Sequence, residues 1–166
     1  GTLWTWGLNG SGQLGFNDTV NRSSPVLLGT SFKQLYASLD TSYAIDNYTN
    51  LWAWGNNSYG QLGFGTATSR EAISTAGVYG KTWKSVYANE HISGAIDTSN
   101  KGFTWGNTKG VGAQAFDPAF DGASSLIYGS YVTLPTPLPW GTWTKLALGG
   151  NDTEQTGLSA GLHTDT

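Results

Sequence analysis

The sequence contains no cysteine and only two histidines, His91 and His163. Without cysteine there is neither a disulfide framework nor a thiolate metal site, so packing and hydrogen bonds must hold the fold. Neither histidine stands in a metal-binding or nucleophile–base motif. The carboxylates are dispersed, and no phosphate-binding glycine loop or calcium loop occurs. We therefore predict no metal, no cofactor and no enzymatic activity.

Charge is also scarce, at 11% of the residues, and the net charge is −3. The chain has only two arginines, Arg22 and Arg70. Without a basic stripe to neutralise a row of phosphates, nucleic acid is not an expected partner. No stretch approaches the roughly 18 consecutive apolar residues of a membrane-spanning helix, so no membrane insertion is predicted.

Glycine and aromatic residues are abundant, with 24 Gly, eight Trp and eight Tyr among 166 residues. Gly, Asn, Thr and Ser separate short aromatic and aliphatic runs, a pattern typical of many strands joined by tight turns. No amphipathic helical pattern is visible. The composition predicts an all-β protein.

A repeat of about 50 residues runs through the chain. Leu3–Phe16 and Leu51–Phe64 are identical at ten of fourteen positions, and a third copy opens at Gly102-Phe103-Thr104-Trp105. We divide the sequence into repeats 1–50, 51–101 and 102–166, the third being degenerate with a long loop over 107–142. Each copy contains about four extended runs, which predicts one propeller blade per copy.

The repeat assigns structural roles to its recurring residues. Leu of the Gly-Gln-Leu-Gly element is expected in the core, Gln is expected to bind backbone, and the glycines allow tight turns. Asp46 and Asp97, which end equivalent strands, are expected to cap hairpins through their side-chain oxygens. We assign repeat-forming roles to Trp4, Trp6, Gly12, Gln13, Leu14, Gly15, Trp52, Trp54, Gly60, Gln61, Leu62, Gly63, Trp83 and Trp105.

Four elements together resemble the repeat of the regulator of chromosome condensation family, over residues 1 to about 107. They are Leu-Trp-x-Trp-Gly-x-Asn-x-x-Gly-Gln-Leu-Gly, Ser24-Pro25-Val26, an aromatic-Lys-x-Leu/Val strand and an Ala-Ile-Asp strand. The resemblance implies an all-β propeller of four-stranded antiparallel blades, about three in this chain.

Members of this family usually close a ring of about seven blades, which three blades cannot do alone. Three arrangements follow: a piece of a longer propeller, several copies around an axis, or an open array packed on a partner. We expect the first, because the sequence begins within a strand pattern and lacks an initiator Met. In each arrangement, other protein segments cover the open blade edges.

Three functions are compatible with this sequence. Its acidic, Cys-free, Gly/Asn/Thr-rich character and its likeness to phage proteins carrying the repeat favour a bacteriophage virion component, such as a capsid decoration, tail or fibre protein. That hypothesis places it in the virion or on an extracellular surface. The alternatives are a carbohydrate-binding adhesive module and a cellular interaction propeller of the scaffold or GTPase-regulator type.

Trp140, in a proline-flanked segment outside the repeat pattern, is a candidate partner contact, together with Tyr128 and Tyr131. A glycan is a further possible ligand of the exposed aromatic residues. The chain also carries sequons that would permit glycosylation in a secreted eukaryotic protein. They begin at Asn9, Asn17, Asn21, Asn47, Asn56 and Asn151.

Overall fold

The computed structural model describes residues 1–75, 81–107, 131–138, 141–148 and 159–164. Within these ranges the regular structure is entirely β, in strands whose short aromatic and aliphatic runs suit a pleated, half-buried surface. The strands are β1 (Thr2–Gly7), β2 (Arg22–Thr30), β3 (Phe32–Ser38), β4 (Thr41–Asp46), β5 (Leu51–Gly55), β6 (Arg70–Thr75), β7 (Trp83–Asn89), β8 (Ile92–Asp97), β9 (Gly102–Asn107), β10 (Tyr131–Pro137), β11 (Thr142–Leu148) and β12 (Ser159–Thr164).

These strands form four antiparallel sheets. Two are complete four-stranded blades, β3-β4-β5-β6 and β7-β8-β9-β10, and two are half blades, β1-β2 and β11-β12. The sequence repeat equates β1 with β5, the third strand of a complete blade. The pairing of β11 with β12 matches that of β7 with β8, the first and second strands. The predicted all-β propeller-blade fold is confirmed, as two whole blades flanked by two halves.

The hydrogen-bonded sheets run across the repeats of the sequence. Repeat 51–101 supplies the third and fourth strands of one blade and then the first and second strands of the next. The division into 1–50, 51–101 and 102–166 therefore describes the sequence repeat, and its boundaries differ from those of the hydrogen-bonded sheets.

One expectation needs correction. The predicted long loop over 107–142 contains strand β10, which pairs with β9 through Tyr131↔Asn107 and Pro137↔Phe103. Prolines interrupt a strand pattern because they donate no hydrogen bond to the ladder. Pro135 lies where the register of this pairing shifts, and that irregularity accommodates it.

The same register recurs in the first hairpin of each blade. An aromatic residue is the first or second residue of the first strand, and the register shifts directly after it in all three copies. The amide of this aromatic residue also donates a hydrogen bond to a carbonyl just before the third strand of the preceding sheet, which fixes neighbouring blades to one another. These pairs are Phe32 N to Gly1 O (3.2 Å), Trp83 N to Thr49 O (2.8 Å) and Trp143 N to Asn100 O (2.7 Å).

The hydrophobic core lies between consecutive sheets. Leu3, Ala44 and Trp54 form a cluster between the β1–β2 half blade and the first complete blade. A larger cluster lies between the two complete blades, where burial of apolar area supplies the main favourable term. Its buried members are Tyr43, Ile45, Leu51, Ala53, Leu62, Trp83, Val86, Ala88, Ala95, Phe103 and Trp105.

The predicted hairpin caps are confirmed. One oxygen of Asp46 accepts the amides of Tyr48 (2.8 Å) and Asn50 (2.9 Å). Asp97 accepts two amides at the same positions of the next repeat, those of Ser99 and Lys101, both at 2.9 Å. These carboxylates hold the turn between the second and third strands, so their recurrence follows from the fold.

Candidate protein-interaction surface

Successive blades are joined through the carbonyl of the Gln in each Gly-Gln-Leu-Gly turn. Trp54 Nε1 donates to the carbonyl of Gln13 at 2.7 Å, and Trp105 Nε1 donates to the carbonyl of Gln61 at 2.6 Å. Both indoles are completely buried. Because an unpaired buried indole or carbonyl is costly, these bonds set where each Trp can lie.

Tyr43 is a second donor to the same kind of carbonyl. Its hydroxyl donates to Gln61 O at 2.7 Å and lies 2.6 Å from Ser93 Oγ in the next blade. Burial raises the pKa of Tyr43, so the hydroxyl stays protonated and available as a donor. Tyr43 was not among the residues selected from the sequence, because the equivalent position of the next repeat is Gly94.

The turn is held from within by two recurring polar side chains. The Oε1 of Gln13 accepts the amide of Ser11, and the Oε1 of Gln61 accepts that of Tyr59, both at 2.9 Å. Gln therefore binds backbone as expected from its place in the repeat. The following residues, Leu14 and Leu62, are buried.

Two asparagines complete the turn, and the sequence prediction omitted them. Asn9 Oδ1 accepts the amide of Leu14, and Asn57 Oδ1 accepts that of Leu62, both at 2.8 Å. Both side chains are fully buried. Asn recurs at the same position of the motif in both repeats, and this recurrence was the signal in the sequence that could have identified its role.

The glycines of these turns also allow close approach. Gly15 and Gly63 have positive φ, and a Cβ on either would lie 3.0 Å from Nε1 of the packed Trp. A side chain there would be strained by its own backbone and would press on the indole. The assigned Gly12 and Gly60 have positive φ as well.

The first half blade presents an apolar surface to solvent. Trp4 is 48% exposed and Trp6 is 58% exposed, whereas Trp52 is partly buried and Trp54 is fully buried. Trp4 and Trp6 thus share the repeat positions of Trp52 and Trp54 but are more exposed than they are. Trp54 is covered by the preceding sheet, and the described residues place no sheet before β1.

Leu35, on strand β3 of the next sheet, is 60% exposed. Its counterparts at the same register, Val86 and Leu146, are both only 7% exposed. Leu27, directly opposite Trp4 in the β1–β2 pairing, is also exposed. We call the exposed residues Trp4, Trp6, Leu27 and Leu35 together the open face; exposed apolar residues of this kind are used by proteins to bind partners.

The open face carries no charged residue of its own, but an ion pair lies at the end of β2. Arg22 Nη2 lies 2.7 Å from Asp18 Oδ2. The hydrogen bond from Arg22 lowers the pKa of Asp18, and an amide bond from Val20 acts in the same direction. Arg22 also lies over the ring of Phe16 at 4.9 Å.

The described ranges contain no group of three or more His, Cys, Asp or Glu that could hold a metal ion. Over the same residues, no helix is long and apolar enough to cross a membrane. His91 lies beside the ring of Tyr59, with 4.1 Å between the ring centroids, so it packs on the loop of the preceding blade.

Of the three predicted partner contacts, only Tyr131 lies within the described residues. Trp140 and Tyr128 lie outside the described residues. Tyr131 begins β10, where its backbone pairs with Asn107. The open face, which lies on the other half of the chain, was not predicted as a contact surface.

The family model of the regulator of chromosome condensation (RCC1) repeat matches residues 1–38 and 50–76. The sequence matches no curated protein significantly.

Several solved structures share the fold, each at 20% sequence identity. Human WBSCR16 aligns with a TM-score of 0.70, covering 89% of this chain and 38% of that one. Prp20p from Saccharomyces cerevisiae aligns with a TM-score of 0.69, covering 90% of this chain and 37% of that one. Yeast RCC1 (Prp20) bound to Kap60 aligns with a TM-score of 0.67, covering 88% and 35%. This chain therefore spans little more than a third of the propellers it resembles.

Proposed function

Because residues 1–38 and 50–76 match the model of the RCC1 repeat and the chain has a propeller-blade fold, we propose that this chain is a non-enzymatic module that binds other protein chains through its open face. The exposure of Trp6 and Leu35 carries the proposal, since residues at the same positions of later repeats are buried. Apolar side chains that a repeat buries elsewhere gain most from a partner that covers them.

Within this class, we propose a structural component of a bacteriophage particle: a capsid decoration, tail or fibre protein. The supporting features are an acidic chain without cysteine, short strands and many Gly- and Asn-rich turns that offer loops for attachment. The proposal places the chain in the virion or on an extracellular surface. It requires no cofactor, nucleic acid or membrane.

Mass spectrometry of purified particles from the source tests the structural role. We expect the polypeptide in gradient-purified particles, at a fixed ratio to the major capsid protein across the particle peak. An abundant cytosolic protein of the same source serves as the control and should be lost during purification. Recovery of the chain only from particle-free cell extract would reject the virion role.

A cellular interaction propeller is the second candidate, supported by the shared fold. The structure of Prp20p was described together with its binding to Gsp1p and histones, and that of yeast RCC1 in complex with Kap60. Affinity capture from cell extract with the wild-type chain and with Trp6→Lys tests this role. A small GTPase or scaffold partner that the wild type retains and the variant loses would favour it.

Carbohydrate binding is supported by the exposed indoles of Trp4 and Trp6, because aromatic faces stack on sugars. A glycan array separates this activity from protein binding. A hit that Trp6→Ala abolishes would favour an adhesive module. An array without hits, with Trp140→Ala leaving assembly unchanged, would reject it.

A further inference from the structure

Positive charge is concentrated at one end of the blades, the end at which the second strand turns into the third. Each lysine within the described residues lies in that turn, in the segment leading into a first strand, or within two residues of the aromatic residue that opens a first strand. Four of these lysines are exposed and Lys81 is half-buried. We call them together the lysine surface: Lys33, Lys81, Lys84, Lys101 and Lys145.

A series of hydrogen bonds joins these lysines across the sheets. Nε2 of Gln34 on β3 donates to the carbonyl of Lys84 at 2.9 Å. Nζ of Lys84 donates to Oδ1 of Asn100 at 2.6 Å. The carbonyl of Asn100 in turn accepts the amide of Trp143 at 2.7 Å. Because Gln34 directly follows one lysine and Trp143 lies two residues before another, the lysine surface is continuous across three sheets.

The described acidic residues have the opposite distribution. Asp46 and Asp97 lie at the lysine end, but both are buried and accept the amides of their turns. Arg22 and Arg70 begin β2 and β6 at the other end. The remaining described acids also lie at that other end, and they are Asp18, Asp40, Glu71 and Glu90. Counted over the described residues, the lysine end has a formal charge of +3 and the other end −2.

We infer that the lysine surface binds an acidic segment of another protein. Within the described part of the chain, only one of its five cations forms an ion pair, that of Lys81 Nζ with Asp97 Oδ2 at 3.6 Å. A surface of one charge on an otherwise acidic chain attracts an oppositely charged partner and fixes the end at which it docks. No residue of this surface belongs to the open face, so the inference adds a second interaction surface to the proposed function.

The chemistry of the surface favours carboxylates over a row of phosphates. Arginine, whose planar fork suits phosphate recognition, is absent from the lysine surface. The two arginines of the chain instead lie over aromatic rings at the other end, Arg22 over Phe16 at 4.9 Å and Arg70 over Phe64 at 5.1 Å. The net charge of −3 also opposes a long polyanion that extends beyond the surface. A short acidic polypeptide segment meets neither obstacle.

Fluorescence anisotropy with a labelled oligoglutamate peptide tests the binding, and an oligoglutamine peptide of the same length is the control. At low ionic strength we expect saturable binding of oligoglutamate and none of oligoglutamine. The dissociation constant for oligoglutamate should rise as NaCl is added, because salt screens exposed charges. Absence of saturable oligoglutamate binding at low ionic strength would overturn the inference.

Two double variants test the location of the site. Lys33→Gln combined with Lys145→Gln removes two exposed cations and should raise the dissociation constant about tenfold. Thr19→Glu combined with Thr68→Glu is the matched control, because it changes the net charge by the same amount through exposed residues at the other end. The control should change the dissociation constant less than about twofold. Equal effects of the two double variants would overturn the assigned surface.

Competition with a single-stranded DNA oligonucleotide tests the class of partner. We expect oligoglutamate to remain bound when DNA is added at an equal concentration of negative charge. Displacement of the peptide by that DNA would overturn the assignment to an acidic polypeptide. Trp6→Ala, on the open face, should leave oligoglutamate binding unchanged. The proposed function is tested through the open face and purified particles, so the two proposals can fail separately.

Discussion

The indole Nε1 of Trp105 donates a hydrogen bond of 2.6 Å to the backbone carbonyl of Gln61, and both side chains are completely buried. Trp105 lies in the third strand of one blade and Gln61 in a turn of the blade before it. Trp54 and Gln13 repeat the relationship one blade earlier. The Trp and the Gly-Gln-Leu-Gly turn of the motif thus belong to one contact between adjacent blades.

Trp105→Phe should lower the free energy of unfolding by about 1–3 kcal/mol, because it removes the indole donor and leaves a gap in a packed site. Trp6→Phe is the matched control, because Trp6 is exposed in the chain. That control should change stability by less than about 0.5 kcal/mol. Urea unfolding followed by circular dichroism measures both, and equal losses would contradict the assigned role of the contact.

Gly55→Ala should destabilise the fold by about 3 kcal/mol or more, combining backbone strain with a steric clash. Gly55 has a φ of 103°, and a Cβ there would lie 2.2 Å from the Asp40 carbonyl oxygen. Gly7 is the matched control, because its φ is 113° but nothing lies within 4 Å of the added carbon. Gly7→Ala should therefore lower the free energy of unfolding only through backbone strain. The difference between the urea midpoints of the two variants measures the contribution of the steric clash.

The stability of the chain should fall in acid partly through Asp46. Burial by itself would raise the pKa of Asp46, but hydrogen bonds from Trp52, Asn50 and Tyr48 outweigh it and hold the pKa below its ordinary value. A pKa that is lower in the folded state contributes stability above the unfolded value of about 3.9, and this contribution is lost as the pH falls toward the folded value.

Urea unfolding midpoints measured at a pH well above the unfolded pKa of about 3.9 and at a pH below the folded pKa test this dependence. Asp46→Asn should be less stable than the wild type at the higher pH, since an amide cannot accept all the bonds of a carboxylate. The free energy of unfolding of Asp46→Asn should also change less between the two pH values than that of the wild type. An unchanged pH dependence in the variant would show that Asp46 does not contribute to acid sensitivity.

Secretion from eukaryotic cells should modify the sequons unequally. Asn9 is fully buried and its side chain bonds to Asp18 and Leu14, so it should remain unmodified. Asn47 is exposed at a hairpin and should accept a glycan. Peptide mass mapping checks this directly, with loss of one glycan in Asn47→Gln as the control. A glycan on Asn9 in folded protein would contradict its position in the core.

The local repeat was readable in the sequence because each element has its own chemistry. Turn glycines need positive φ, Asp46 needs nearby amides, and Leu62 needs a core, and each requirement recurs at the same spacing. The all-β class and the blade architecture followed from these recurrences. Strand β10 was missed, since Pro135 and Pro137 obscure its strand pattern.

The sequence by itself therefore determined the repeat, its turn chemistry and the class of fold, because those depend on residues close together in the chain. Only the tertiary structure showed that the sheets run across the repeats and that identical residues such as Trp6 and Trp54 meet different surroundings. Burial depends on which sheet lies in front of a side chain, and that neighbour comes from the preceding blade. The open face is for this reason a property of the assembled strands rather than of the motif.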